Sequence, residues 1–186
     1  MASLLNITLS SLEKTDREQF ITDNQRAFKY GATEEFGMRD NHFEEGEEII
    51  SRKTIEKSID SKNAETYRII LDKKKIGGLV IKLDKENKKG YLDLLFINPE
   101  NHSKGAGYAA WIAVEKMHPE IEIWETVTPY FEKRNIHFYV NKCGFHIIEF
   151  FHKYHPDPNR IHDEDQKDEV HEDEDEMFRF QKIIKK

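Results

Sequence analysis

The segment Ile97-Asn98-Pro99-Glu100-Asn101-His102-Ser103-Lys104-Gly105-Ala106-Gly107-Tyr108 limits the folds open to this chain more than any other. The run before it, Tyr91 to Ile97, is almost continuously apolar, as expected of a strand buried on both faces. Pro99 ends that strand, because proline has no N–H to give to a ladder. After the glycines, Ala106, Ala109, Ala110, Ala113 and Met117 recur at helical spacing. A strand therefore runs through a short loop into a helix whose small-residue face lies close on a sheet. The first N–H groups of such a helix have no intrahelical acceptor and carry the positive end of its dipole. Glycine beside them lets a phosphate reach the backbone. The same pattern also suits a plain strand-to-helix turn that binds nothing, so the segment alone assigns no function.

The rest of the chain predicts the order α-α-β-β-β-α-β-α-β-β, hence an α/β or α+β sheet with helices on its faces. Thr15 to Glu18 reads T-D-R-E, a capping-box pattern. Phe20, Ile21, Ala27 and Phe28 follow at helical spacing, with Gly31 as the expected stop. A Gly- and acid-rich loop from 31 to 46 leads to a second helix over 47–60, with Ile49, Ile55 and Ile59 inward. Thr66–Leu71 and Ile76–Leu83 read as strands of a hairpin turning at 72–75, with Gly77 and Gly78 marking a bulge. Ile121–Val127 alternates as a strand, and Pro129–Asn141 reads as a helix broken near Asn135 and closed by Gly144. Phe145–Phe151 and Met177–Ile184 are the last two strands.

Charge excludes one large class of function. The net charge is −7, yet Asp163–Glu176 alone holds ten acids against one lysine, a charge of −9. The remainder is close to +2, without the basic footprint of a general nucleic-acid binder. No apolar run approaches the roughly 18 residues of a membrane span, and 1–11 lacks the pattern of a signal peptide. A single cysteine, Cys143, excludes an internal disulfide and suits a reducing compartment, so a cytoplasmic location is expected.

About thirty residues after the glycine loop comes Asn135-Ile136-His137-Phe138-Tyr139-Val140-Asn141-Lys142-Cys143-Gly144-Phe145. Here the pieces resemble a known family. The first segment resembles the acyl-CoA motif of the GNAT superfamily of N-acetyltransferases, V/I-x-P-x-x-R/Q-x-x-G-x-G/A. The second resembles that superfamily's later N-x-x-x-Y…G-F motif, and the likeness spans about 15–151. It implies one acyl-CoA N-acyltransferase domain over 1–186, with a flexible acidic insertion at 157–176. The implied sheet is mixed, mostly antiparallel and of about six to seven strands. It has a V-shaped splay between the fourth and fifth strands and helices on both faces.

The resemblance also implies a site. Acetyl-CoA is the cosubstrate, with no metal. Its pyrophosphate meets the backbone N–H groups of Lys104, Gly105, Ala106, Gly107 and Tyr108. The pantetheine amides meet the backbone at Phe96 and Ile97, and Asn135 touches the cofactor arm. Tyr139 matches the tyrosine that protonates the departing thiolate. His102 stands where the family has Arg or Gln; neutral imidazole offers one N–H and less charge. Asp93 and Glu125 are candidate bases, each of which also reads as an ordinary paired carboxylate. Cys143, just before a helix-ending glycine, reads as a packed thiol rather than a nucleophile.

The acceptor implied is a small-molecule or protein amine. Acids at Glu34, Glu35, Glu44, Glu45, Glu47 and Glu48 and over 163–176 suit a cationic one, although both stretches read first as a solvated loop and insertion. His152, His155, His162 and His171 match no metal-ligand spacing. The resemblance also allows a homodimer through the last strand, Phe178–Ile184, as in many members of that superfamily. The competing reading is a non-catalytic CoA-binding or interaction module on the same fold.

Overall fold

The computed structural model describes residues 5–33, 49–102, 105–158 and 176–184. The chain divides into two compact units, 1–121 and 122–186.

In the first unit, β1 (Thr8–Ser11), β2 (Ala64–Leu71), β3 (Lys74–Asp84) and β4 (Lys89–Ile97) lie side by side in that order, every neighbour antiparallel. Helices α1 (Arg17–Thr33), α2 (Arg52–Ile59) and α3 (Ala106–Met117) pack on them. Phe20, Ile21 and Ala27 of α1 form one buried cluster with Ile55 of α2 and with Val80, Leu94 and Phe96 of the sheet. Each large apolar side chain so buried contributes about 1.5–3 kcal/mol.

Two irregularities shape this sheet. Ile69 pairs with Gly77 and Ile70 with Lys75, which leaves Ile76 as an extra residue beside the expected Gly77–Gly78 bulge. Val80 pairs with Leu94 and Ile81 with Leu92, so Asp93 is the extra residue in β4. Val80 and Ile81 point to opposite faces, and so do their partners; Leu92 and Leu94 are two apart yet bury on opposite sides. The hairpin between β2 and β3 turns on Asp72 and Lys73, both at positive φ (50° and 64°). That is the conformation a two-residue hairpin turn demands, here met without glycine.

The glycines of β3 answer to close approach. A Cβ at Gly77 would stand 2.2 Å from the Phe96 carbonyl oxygen, and one at Gly78 would stand 2.3 Å from Phe20 Cε2. The first obstacle is backbone and cannot rotate away. Gly77→Ala is therefore expected to cost at least about 1–3 kcal/mol through overpacking, measured as a drop in the urea midpoint at unchanged slope.

Arg68 of β2 is the unit's buried cation, 2% exposed. Its guanidinium donates to Asp16 at 2.8 Å and to Asp23 at 2.9 Å, and it lies over the Phe20 ring. Burial opposes the ionisation of Asp16, but hydrogen bonds from Arg68 and Lys75 outweigh it and hold the carboxyl below its usual range. The expected capping box gives way because Glu18 pairs with Arg52 of α2 at 2.6 Å. Lys14–Asp16 form a 3-10 turn ahead of α1, and Asp16 serves Arg68.

Other boundaries also differ from expectation. The helix α1 runs through Gly31 to Thr33. The second helix starts at Arg52, because Ser51 caps it by accepting from the Thr54 N–H. Trp111 and Val114 join Ala106, Ala109 and Ala110 on the buried side of α3, whereas Met117 is exposed. Strand β4 alternates between buried and half-buried residues along its length.

In the second unit, β7 (Met177–Ile183) lies between β5 (Ile123–Pro129) and β6 (His146–Phe151), antiparallel to both. Helix α4 (Lys133–His137) begins four residues later than expected, since Pro129 still pairs with Met177. It does not break at Asn135. It widens into a π-helical turn over Phe138–Lys142, where the Cys143 N–H bonds the Phe138 carbonyl at 3.0 Å. Gly144, at φ 77°, closes the turn, and Trp124, Phe145, Phe151 and Phe180 fill the core. Cys143 is a buried thiol outside any disulfide.

Among the described residues, no helix is long and apolar enough to cross a membrane, and no group of three or more His, Cys, Asp or Glu is arranged to hold a metal.

Candidate functional site

In the first unit the chain leaves β4 at Ile97, makes a 3-10 turn over Pro99–Asn101 and enters α3 after Gly105. Gly105 has φ 78°, a left-handed conformation that a side chain would strain, and among the described residues a Cβ there would meet nothing within 4 Å. The glycine thus gives the turn its shape and leaves open space beside the start of the helix. The Ala109 N–H makes the first intrahelical bond, to the Gly105 carbonyl at 3.0 Å. The N–H groups of Ala106, Gly107 and Tyr108 consequently have no acceptor within α3. Such a cradle fits a pyrophosphate. Ser103 and Lys104 lie outside the described residues.

His102 turns its ring back toward the end of β4. Its Nε2 bonds the carbonyl of Ile97, and its ring packs edge-on against Tyr30 with centroids 5.3 Å apart. A carbonyl only accepts, so Nε2 carries the proton, and in neutral imidazole Nδ1 is then a lone-pair acceptor. The ring ties the loop back to the end of β4. Arg26 of α1 holds the same loop through Glu100, at 3.0 and 3.2 Å. Phe96 is buried beneath Phe20, with ring centroids 5.1 Å apart.

Asp93 owes its place to the β4 bulge. Ser58 Oγ of α2 donates to Asp93 Oδ2, and Lys82 Nζ lies 2.7 Å from the same oxygen. Ser58 is buried, and the Asp93 side chain is 20% exposed. Neither Ser58 nor Lys82 carries a signal in the sequence, because the trio joins residues from three elements.

In the second unit, Asn135 Nδ2 donates to Thr128 Oγ1 at 3.3 Å. Tyr139 packs among Phe138, Phe145 and Phe180, and its hydroxyl shares a hydrogen bond with Thr126. Its ring keeps some accessible surface, but burial at the hydroxyl end pushes its pKa up to about 12, partly offset by the Thr126 bond. Glu125 accepts from Arg179 and Gln181, both at 2.9 Å, and Arg179 also bridges to Glu149 at 2.8 Å. Since side chains alternate along β5, Glu125 lies on the opposite face from Thr126 and its bond to Tyr139. The structure thus joins Asn135 and Tyr139 to one face of β5 and sets Glu125 in an ion-pair ladder on the other.

The acid-rich stretches at 34–48 and 163–175, with His162 and His171, lie outside the described residues. His155 bonds Glu149 at 2.8 Å, and His152 stacks on Phe150.

Residues 25–145 match the family model described as the Acetyltransferase (GNAT) family. The uncharacterized protein YrkN of Bacillus subtilis (strain 168) is 40% identical over 180 residues, covering 97% of this chain and 95% of that one. Among solved structures, the ribosomal-protein-S18-alanine N-acetyltransferase of Escherichia coli aligns at TM-score 0.64 and 15% identity, covering 97% of this chain and 95% of its own. The spermidine N-acetyltransferase of Vibrio cholerae, in complex with CoA and spermine, aligns at TM-score 0.62 and 16% identity over 95% of each chain. The PaiA N-acetyltransferase of Thermoplasma acidophilum, in complex with coenzyme A, aligns at TM-score 0.59 and 17% identity, covering 97% of this chain and all of its own. These structures share the fold, an α/β arrangement with mostly antiparallel strands.

Proposed function

Because the chain belongs to the GNAT acetyltransferase family, we propose that it moves an acetyl group from acetyl-CoA to a primary amine by direct transfer. The open, left-handed turn at Gly105 before the free N–H groups of α3 is the observation that carries this reading. The backbone at Gly105, Ala106, Gly107 and Tyr108, with Lys104, would hold the pyrophosphate. Phe96 and Ile97 would receive the pantetheine amides, and Asn135 would touch the arm. Bound there, acetyl-CoA supplies an activated acyl group.

The chain's own residues then manage protons. Asp93, projected by the bulge, takes a proton from the acceptor ammonium, directly or through water, so that the amine is neutral when it attacks. Tyr139 gives its proton to the sulfur as the C–S bond breaks and the C–N bond forms. Glu125, on the face of β5 opposite Thr126 and its bond to Tyr139, is the second candidate for base. On this reading Asp93→Asn lowers kcat/KM for the amine by about 10²-fold or more, whereas Glu125→Gln does so by less than about tenfold.

The acceptor is a small amine, cationic or polyamine-like, or a protein amine. The spermidine enzyme among the structural neighbours supports the first class, and the S18-alanine enzyme supports the second. The bond from His102 to Ile97 favours a second reading, a non-catalytic module that binds CoA weakly or not at all. Titration calorimetry with acetyl-CoA separates the two. Binding in the micromolar range is expected, followed by turnover with spermidine or an alanine-starting peptide. A folded protein that takes up no heat from acetyl-CoA would overturn the transferase reading.

A further inference from the structure

The two motif residues of the second unit are held by a matched pair of hydroxyls. Thr126 and Thr128 are two apart on β5, so they point to one face of the strand. Both are buried, 2% and 4% exposed. Asn135 and Tyr139 are four apart, on one face of α4 and its π-turn. Two strand residues advance about 6.8 Å, and four helical residues advance about 6 Å. The spacings agree, and the bonds follow: Thr128 accepts from Asn135 Nδ2, and Thr126 bonds the Tyr139 hydroxyl. Threonine is branched at Cβ and stiff at χ1, so each hydroxyl has a fixed place.

We infer that Thr126 and Thr128 are positioning residues, Thr126 aiming the Tyr139 hydroxyl and Thr128 setting the amide of Asn135. The assignment of catalytic effect rests on the transferase reading above; the geometry of the two pairs does not. Thr126 acts against burial. A hydroxyl that donates to the tyrosine oxygen stabilises the charge left when that oxygen gives up a proton, which makes Tyr139 a better acid. Thr128 leaves the Tyr139 oxygen alone and orients a side chain proposed to touch the cofactor arm. The two threonines should therefore be separable, although they are neighbours on one strand face.

The test uses the full chain with isosteric Thr→Val changes and Thr→Ser controls. Protein labelled with 13C at the tyrosine Cζ reports hydrogen bonding at each phenol, and Tyr139→Phe identifies the resonance. Thr126→Val should move that resonance at pH 7, Thr126→Ser should restore it, and Thr128→Val should leave it in place. Calorimetry with CoA should show Thr128→Val weakening affinity about five-fold, the worth of one ordinary hydrogen bond, with Thr126→Val within about two-fold of the parent. An unmoved Tyr139 resonance in Thr126→Val overturns the role of Thr126. An unchanged CoA affinity in Thr128→Val, in a parent that binds CoA, overturns that of Thr128. A parent that fails to bind CoA sinks the transferase reading instead and leaves the resonance test of Thr126 intact. If a Val variant does not fold, the Ser variant decides: the resonance and the CoA affinity should both stay at parental values, and a shift in either counts against the proposal.

Discussion

Tyr139→Phe lowers kcat for acetyl transfer by about 10²-fold or more and leaves the affinity for acetyl-CoA nearly unchanged. The size follows from the role, since a positioned acid contributes about 10²–10⁴-fold. The selectivity follows from the packing. The Phe138, Phe145 and Phe180 rings hold the Tyr139 ring whether or not it carries oxygen, so the change removes a proton donor without opening a cavity. The pH dependence has a definite sign. Burial raises the Tyr139 pKa to about 12, so the acid form is the one present at every lower pH. Wild-type kcat/KM for the amine should thus rise as the amine loses its proton. No decline from tyrosine ionisation should appear below about pH 11, because a pKa of about 12 leaves less than a tenth ionised there. Steady-state rates from pH 6 to 10 check both points. A Tyr139→Phe enzyme with wild-type kcat would show that another group protonates the thiolate.

Arg68→Ala is expected to cost about 3–5 kcal/mol of stability, the usual loss when one partner of a buried ion pair is removed. Asp23 would keep its bond from Gln19 at 2.8 Å but lose its cation, and Asp16 would keep only Lys75. A further part of the cost is the lost contact with the face of Phe20. The charge accounts for most of it, which gives a sharper test. Adding Asp23→Asn and Asp16→Asn to Arg68→Met should recover much of the loss, because replacing a whole buried pair by uncharged groups is often neutral. Acid sensitivity reports the same network. Asp16 has its folded pKa below the ordinary 3.8, so its contribution is fully present above that value and is lost as pH falls through the folded pKa. Urea unfolding at pH 7 and pH 3 should show the parent losing more stability on acidification than the triple variant does.

What could be read in the sequence was what repeats locally. The alanines of α3 and the apolar run of β4 announce themselves by period, and both elements stand where they were expected. Strand β1 was invisible, because Thr8-Leu9-Ser10-Ser11 is short, mostly polar and placed by its pairing to the distant β2. The capping box failed for a long-range reason: Glu18 has a partner, Arg52, thirty-four residues away. The Gly31 stop failed because one glycine does not end a helix whose other residues continue it. At the candidate site the motif residues were legible one by one, but their settings were not. That His102 points its proton at Ile97, that Asp93 occupies a bulge beside Ser58 and Lys82, and that Glu125 sits in an ion-pair ladder are all consequences of register and packing.

The placement of β7 between β5 and β6 has a consequence for how the chain comes off the ribosome. The meander of β1 to β4 pairs strands that, apart from the first, are close in sequence, so it can close early, and local pairing of this kind is fast. The second unit has no such path. Strand β5 finds β7 some fifty residues downstream, and among the described residues β6 has no strand partner until 177–183 emerges. While translation covers that distance, β5 and β6 expose strand edges bearing Trp124, Ile147, Ile148 and Phe150, the kind of surface that chaperones hold and that aggregates when they do not.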